Sequence, residues 1–302
     1  MHIPDGFLST PVWAALDAAA APAVGYMARR AQHAFDESKI PLLGVMGAFV
    51  FAAQMINFPV GIGTTGHLVG GALLAYTLGP AAATITMTAI LAIQALVFQD
   101  GGILALGANT INMAVLGVWA GYLPFHLWGA GKNRGLAVFA GGALSVLVSA
   151  TLAVAELLMS GVRIAGSVLG VSFALFLAAA ALEGAITVSV VGALEKIQPG
   201  FVRKPREGRS FALGAVALAA LLLATVGLLF ASAAPDGIQS LAQQAGVASH
   251  ARTVLTTPFS GYEAAFVRAA WTRKALAGLA GIGLIYAACV VIGRTVSRRG
   301  SA

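Results

Sequence analysis

Residues 59–98 run apolar for 40 positions, interrupted by Gly61, Gly63, Gly66, Gly70, Gly71 and the pair Gly79-Pro80. One straight helix of that length would extend about 60 Å, twice the roughly 30 Å hydrocarbon core of a bilayer. In hydrocarbon every backbone N–H and C=O must be answered from within the protein, so only helices or closed barrels can span. Proline removes a donor and clashes with the preceding turn, so Gly79-Pro80 is read as a break. The run then gives two helices, 67–78 and 80–98, with 59–66 as an irregular loop. Seven further apolar runs have the length of a span, at 11–28, 40–58, 109–127, 135–158, 168–194, 211–231 and 275–293.

Composition agrees with nine spans. Charged residues make up 10% of the 302 and hydrophobic residues 59%, against about 25% charged in soluble domains. The expected class is an all-α integral membrane protein, its helices packed closely through many of the 37 glycines. Residues 1–10 lack a basic segment and the first apolar run carries Asp17 and Pro22, so no cleaved signal peptide is expected. Cys289 is the sole cysteine, which excludes an internal disulfide or a thiolate cluster.

The net charge of +7 raises the question of nucleic acid, but its placement answers otherwise. With nine spans and the N-terminus outside, 13 of the 18 Lys and Arg fall in inside segments. Arg163, Arg252, Arg268, Arg273 and Lys274 remain outside. Reading 67–98 as one span inverts every later loop and gives 8 against 10 of the 18. Cytoplasmic loops are enriched in Lys and Arg, so nine spans with the N-terminus outside are favoured, and no nucleic-acid partner is expected. The stretch 196–210 is basic and rich in Pro and Gly. It reads as a cytoplasmic linker between a seven-span unit, 1–195, and a two-span hairpin, 211–302, with an outer loop at 232–274.

Four unusual segments share the outer side: MHIPDGF, GIGTTGHLVGG at 61–71, QDGGILALGANTIN at 99–112, and the outer loop. A free Met1-His2 terminus offers a metal ion its α-amine, the deprotonated main-chain nitrogen of His2, and the His2 imidazole. His67, on the same side, offers a fourth nitrogen. A planar set of four nitrogens suits Ni(II) or Cu(II), whereas zinc prefers a tetrahedron and magnesium or calcium prefer oxygen. Bland readings stand beside this one. Terminal residues are commonly solvated, and a histidine among glycines also serves simply to line a helix contact.

Gln99, Asp100, Asn109 and Asn112 are candidates for hydrogen bonds to ligating groups, or equally for capping a helix that starts near 109. Asp17, Glu156 and Glu183 lie in or beside spans, where acids are functional candidates by default; read blandly, Asp17 and Glu183 answer helix amides or basic residues and Glu156 lies at the outer interface. His33 and His126 fall at inner helix ends, and His250 in the outer loop reads as solvated. GAGKN at 129–133 does not complete a phosphate-binding loop, so ATP hydrolysis by this chain is not expected. H-E-x-x-H and G-x-S-x-G are also absent from the sequence.

MHIPDGFLS, NFPVGIGTTGHLVGG and QALVFQDGGILALGANTINMA, in this order, strongly resemble the CbiM/NikM family. Its members are substrate-specific components of energy-coupling-factor transporters for cobalt and nickel. The resemblance covers about residues 1–195. The tail, with PDGIQ at 235–239, is similar to the small CbiN/NikN-type companion with its PDGLE motif, departing from it at the last two positions. The resemblance implies a seven-helix unit holding the ion through Met1, His2 and His67. It implies partners too: a transmembrane coupling component and a pair of ATP-binding-cassette ATPases that drive reorientation of the binding unit. The expected role is capture of Ni(II), with Co(II) next, at the outer face of a prokaryotic plasma or inner membrane, without a prosthetic group. The fused hairpin is expected to assist loading. Two alternatives are a stand-alone secondary carrier, which would place more paired acids and histidines in its spans, and an intramembrane enzyme built on Asp17, Glu156 or Glu183.

Overall fold

The structure, a computed structural model, describes residues 2–34, 37–61, 63–202, 211–232 and 234–297. It is mostly helical. The apolar runs become α1 (Thr10–Ala34), α2 (Ile40–Gln54), α3 (Gly71–Leu78), α4 (Pro80–Ile93), α5 (Leu106–Asn109), α6 (Val118–Trp128), α7 (Arg134–Met159), α8 (Gly166–Ile197) and α9 (Phe211–Thr225). A short α10 (Gly237–Gln244) and a long α11 (Ala270–Val296) follow. Two stretches widen into π-helix, Gln94–Phe98 after α4 and Thr110–Gly117 between α5 and α6. Among the described residues, five helical stretches are long and apolar enough to cross a bilayer: Pro80–Phe98, Arg134–Met159, Gly166–Ile197, Phe211–Leu229 and Ala270–Val296.

The break at Gly79-Pro80 is present and its cause is visible. Gly79 takes φ 82°, closes α3 through its N–H to Ala75 O at 3.0 Å, and accepts the first bond of α4 from Ala83 N at 2.9 Å. Proline opens α4, where its missing donor costs nothing. The expected helix 67–78 is shorter than the apolar run suggests. It starts at Gly71, has eight residues, and extends about 12 Å, too little to cross a bilayer alone. Residues 67–70 stay irregular because Gly70 turns left-handed, at φ 75°.

The loop before it is more ordered than expected. Phe58–Gly61 (β1) and Thr64–Gly66 (β2) pair antiparallel, with Phe58 opposite Gly66 and Gly61 opposite Thr64. Apolar periodicity carries no signal for so short a hairpin. Basic residues 203–210 of the linker lie outside the described residues. Before them, Glu195 accepts from Gly200 N at 3.1 Å and Val202 N at 3.0 Å, and pairs with Arg134 at 3.0 Å, tying the end of α8 to the start of α7.

Helices pack where glycines let backbones meet. A Cβ on Gly142 of α7 would come within 2.9 Å of Gly184 Cα, and one on Gly184 of α8 within 2.7 Å of Phe139 O. The C-terminal helices join the same core. α11 lies against α2, with Gly47 facing Cys289 and Gly281 facing Phe51, and Gly278 of α11 faces Ala224 of α9. The hydroxyls of Thr77, Thr84, Thr86 and Thr88 donate to carbonyls three or four residues earlier, so these polar groups carry no unmet bond into the apolar interior. Gly184→Val is expected to overpack the α7–α8 crossing and destabilise the protein by about 1–3 kcal/mol. A lowered thermal-unfolding midpoint in detergent would show it, and an unchanged midpoint would mean that the crossing tolerates a branched side chain.

Candidate metal centre

The N-terminal segment is pinned as a strand-like strap. Ile3, fully buried, donates its N–H to Asn109 Oδ1 at 2.8 Å and accepts from Asn109 Nδ2 at 3.1 Å and from Gly102 N at 2.8 Å. The Asp5 carboxylate accepts from Ile103 N at 2.9 Å and Leu104 N at 2.7 Å. The strap can lie this close only because Gly101 and Gly102 lack side chains. A Cβ on Gly102 would meet Asp5 Oδ1 at 2.4 Å, and one on Gly101 would meet His2 Cβ at 3.3 Å. On its other side, Asp5 O accepts from Arg252 N at 2.9 Å, so the C-terminal loop closes over the strap.

His67 reaches the same place from β2. Behind it, Glu183 of α8, 1% exposed, accepts from Val69 N and Gly70 N, both at 2.8 Å. This buried carboxylate does at a distance what an N-cap side chain does locally for α3, whose own N-cap is Gly70. Gln54 of α2 adds a bond from Nε2 to Val69 O at 2.8 Å. Ahead of His67, Thr65 N donates to Pro235 O at 2.9 Å and Thr65 Oγ1 to Ala234 O at 2.9 Å, so the PDGIQ segment buttresses β2. Asp236 and Gln239 of that segment form a reciprocal capping box at the start of α10, and Gln239 closes it where PDGLE carries Glu.

The two imidazoles face each other, ring centroids 5.4 Å apart and planes within 6°. His2 is 3% exposed, and among the described residues neither of its buried ring nitrogens makes a hydrogen bond; Nδ1 has an ion-pair contact to Asp100 Oδ1 at 3.2 Å. A buried polar atom without a hydrogen bond is costly unless something else binds it, and a metal ion is such a partner. His67 Nδ1 lies 3.0 Å from Leu68 O. A carbonyl only accepts, so Nδ1 carries the proton and Nε2 the lone pair, the form a metal needs. Burial, reinforced by the charge of His2, drives the His67 pKa down to about 3, so the ring is neutral at any working pH. Burial alone would raise Asp100, but His2, then His67 and a hydrogen bond from Tyr262, outweigh it and hold the carboxyl well below its ordinary range.

Of the residues singled out in the sequence, His2, His67 and Asp100 come together. Asn109 serves the strap instead of capping a helix, for it makes no cap bond and sits inside the α5–π segment. Gln99 accepts from the Ser260 hydroxyl. Asn112 donates to Glu156 Oε2 at 2.9 Å. Met1 lies outside the described residues. The remaining intramembrane acid, Asp17, accepts from Gly107 N at 2.6 Å. His250 is exposed, its main chain rather than its ring packing against Gly6. Among the described residues, no three His, Cys, Asp or Glu side chains group as a metal site. Sequence reasoning offered Glu183 as a partner of helix amides without identifying the His67 loop as what it clamps, and missed Tyr262 entirely. Glu183's apolar surroundings were the available signal for the first, and none marked the second.

Residues 2–201 match the family described as CbiM, cobalt uptake substrate-specific transmembrane region. The chain is 35% identical over 239 residues to a putative fused nickel transport protein NikMN of Archaeoglobus fulgidus, a match covering 78% of this chain and 77% of that protein. It is 31% identical to the fused nickel transport protein NikMN of Rhodobacter capsulatus, with 95% of each covered. The crystal structure of a truncated transition metal transporter is similar to it, with a TM-score of 0.58 and 36% identity, over 65% of this chain and 99% of that one.

Glu183→Gln retains the size of the clamp but sets an NH2 group against main-chain N–H donors. Loss of an outer partner of a ligand typically costs about 10–100-fold in metal affinity, and a loss of that size is expected here, read by equilibrium dialysis with Ni(II). Unaltered affinity would show that the loop holds His67 without the clamp.

Proposed function

This chain belongs to the CbiM family of cobalt-uptake substrate-specific transmembrane regions, and on that premise we propose that it captures Ni(II), with Co(II) as the second substrate, for ATP-driven import. It is a multi-pass membrane protein and a metal transport component rather than an enzyme. The observation that carries the proposal is the pair of buried imidazoles, His2 and His67, held parallel with ring centroids 5.4 Å apart, with no hydrogen bond to either ring nitrogen of His2 among the described residues. The donor set is the Met1 amine, the main-chain nitrogen of His2, the His2 imidazole and His67 Nε2. Four nitrogens in a plane favour Ni(II) over ions that seek tetrahedral or oxygen-rich sites. The fused relatives named for nickel transport, which match beyond the CbiM region, support the same preference.

The energy comes from elsewhere, because the sequence carries no phosphate-binding loop. The partners are a transmembrane coupling component and ATP-binding-cassette ATPases, and the binding unit reorients as they hydrolyse ATP. The excess of Lys and Arg in alternate loops supports an outward-facing N-terminus in a prokaryotic plasma or inner membrane. The C-terminal unit, buttressing β2 through Pro235 and Ala234, assists loading. An intramembrane enzyme or a secondary carrier built on acids draws little support. Asp17 and Glu183 each answer main-chain amides, and Glu156 answers Asn112.

Acetylating the amine, adding one residue before His2, or His67→Ala is expected to abolish Ni(II) binding, a larger loss than the about 10–100-fold of an outer partner. Calorimetric titration of the full purified chain measures this, and normal binding by a blocked terminus would refute the donor set. Affinity is also expected to fall as pH drops from 8 to 6, because binding releases protons from the amine and the peptide nitrogen. His67 adds nothing to that slope, being neutral above about pH 3.

A further inference from the structure

The turn Ser260–Tyr262 lies in the C-terminal unit, far along the chain from either histidine. Tyr262 has φ 59°, a left-handed conformation unusual for a residue with a side chain. Such geometry persists only where the surroundings enforce it, and here they are specific. Its ring stacks on Phe98, centroids 4.9 Å apart and planes within 16°. Its hydroxyl donates to Asp100 Oδ2 at 2.6 Å, and Asp100 Oδ1 faces His2 Nδ1 at 3.2 Å. The same hydroxyl accepts from Gln94 Nε2 at 3.1 Å. Gln94 Nε2 also donates to Gln54 Oε1 at 2.8 Å, and Gln54 Nε2 to Val69 O at 2.8 Å, two residues beyond His67. One phenol thus joins two branches, a hydrogen bond to the carboxylate that lies against His2 and a hydrogen-bonded chain through Gln94 and Gln54 to the His67 loop.

We propose that Tyr262 is a positioning residue of the metal centre, supplied by the C-terminal unit, which orients Asp100 against His2 and sets how long the bound ion stays. This rests on the reading of His2 and His67 as ligands. A phenol held by Gln94 fixes the second oxygen of Asp100, which keeps the first beside His2 Nδ1, where its negative charge favours a bound cation. Removing the hydroxyl leaves the aromatic stack in place and frees the carboxylate to rotate. Ser260 anchors the same turn through Gln99 and does not lead to His2, so it serves as a local comparison.

The test uses the full purified chain with its native amino terminus, Ni(II) as probe, stopped-flow release into a chelator, and the visible absorption of the bound ion. Tyr262→Phe is expected to release Ni(II) about tenfold faster and to shift the absorption band. Asp100→Asn should do the same, and the double variant should be no faster than Asp100→Asn, because the two act through one bond. Ser260→Ala should match the unaltered chain. The proposal is overturned if Tyr262→Phe releases Ni(II) at the unaltered rate, if Ser260→Ala speeds release equally, or if the effects of Tyr262→Phe and Asp100→Asn multiply. His67→Ala separates the two ideas. If it abolishes binding while Tyr262→Phe changes nothing, the ligand reading stands and this inference falls. If it binds Ni(II) normally, the ligand reading itself fails.

Discussion

A main-chain amide with no helical partner is tolerable in an apolar interior only when a strong acceptor answers it, and this fold meets that need with carboxylates. Glu183 takes Val69 and Gly70, Asp5 takes Ile103 and Leu104, Asp17 takes Gly107, Glu195 takes Gly200 and Val202, and Asp236 takes Gln239. Five of the 11 acids in the chain are used in this way. Each stands where the chain leaves regular helix; Glu183, Asp5 and Asp236 hold segments that carry or adjoin His2 and His67, whereas Glu195 ties the end of α8 to the start of α7. The irregular backbone needed to present two imidazoles is therefore stable because charge has been placed behind it.

That economy also decides what the sequence discloses. The Gly79-Pro80 break is a local signal and is found as read, and the apolar runs become helices, with other limits and with five of spanning length among the described residues. The reading of Asp17 and Glu183 as partners of helix amides was similarly available, since an acid inside an apolar run needs a donor. What stayed hidden depends on distance along the chain. Thr65 meets Pro235 across about 170 positions, and Tyr262 sits in FSGYE, which reads as an ordinary turn. Asn109 was ambiguous for a different reason. An asparagine near a helix start fits a cap, and only the three-dimensional course of residues 2–6 makes it the partner of Ile3. Helix limits failed where glycine and a remote carboxylate jointly override apolar patterning, as at residues 67–70.

Around the two imidazoles, the fold draws on three separated parts of the chain. The strap brings His2, the glycine loop brings His67, and the C-terminal unit brings Pro235, Arg252 and Tyr262. The strap's hydrogen bonds run to residues 102–109 and 252, and those of β2 beyond its own hairpin run to 234, 235 and 240. Cross-bracing of this kind gives the imidazoles a defined spacing without a dedicated rigid element beneath either.

The contact between Gly6 and the main chain at His250 has a bearing on how the protein is made. Those two points approach so closely that a Cβ on Gly6 would sit 2.0 Å from His250 O, and Arg252 N bonds Asp5 O beside them. Residues 2–6 are thus closed over by residues made about 245 positions later. Until Arg252 has emerged, the strap lacks its lid. The pocket around His2 is finished only when that segment is present, so a product cut short before it carries both histidines without the enclosure.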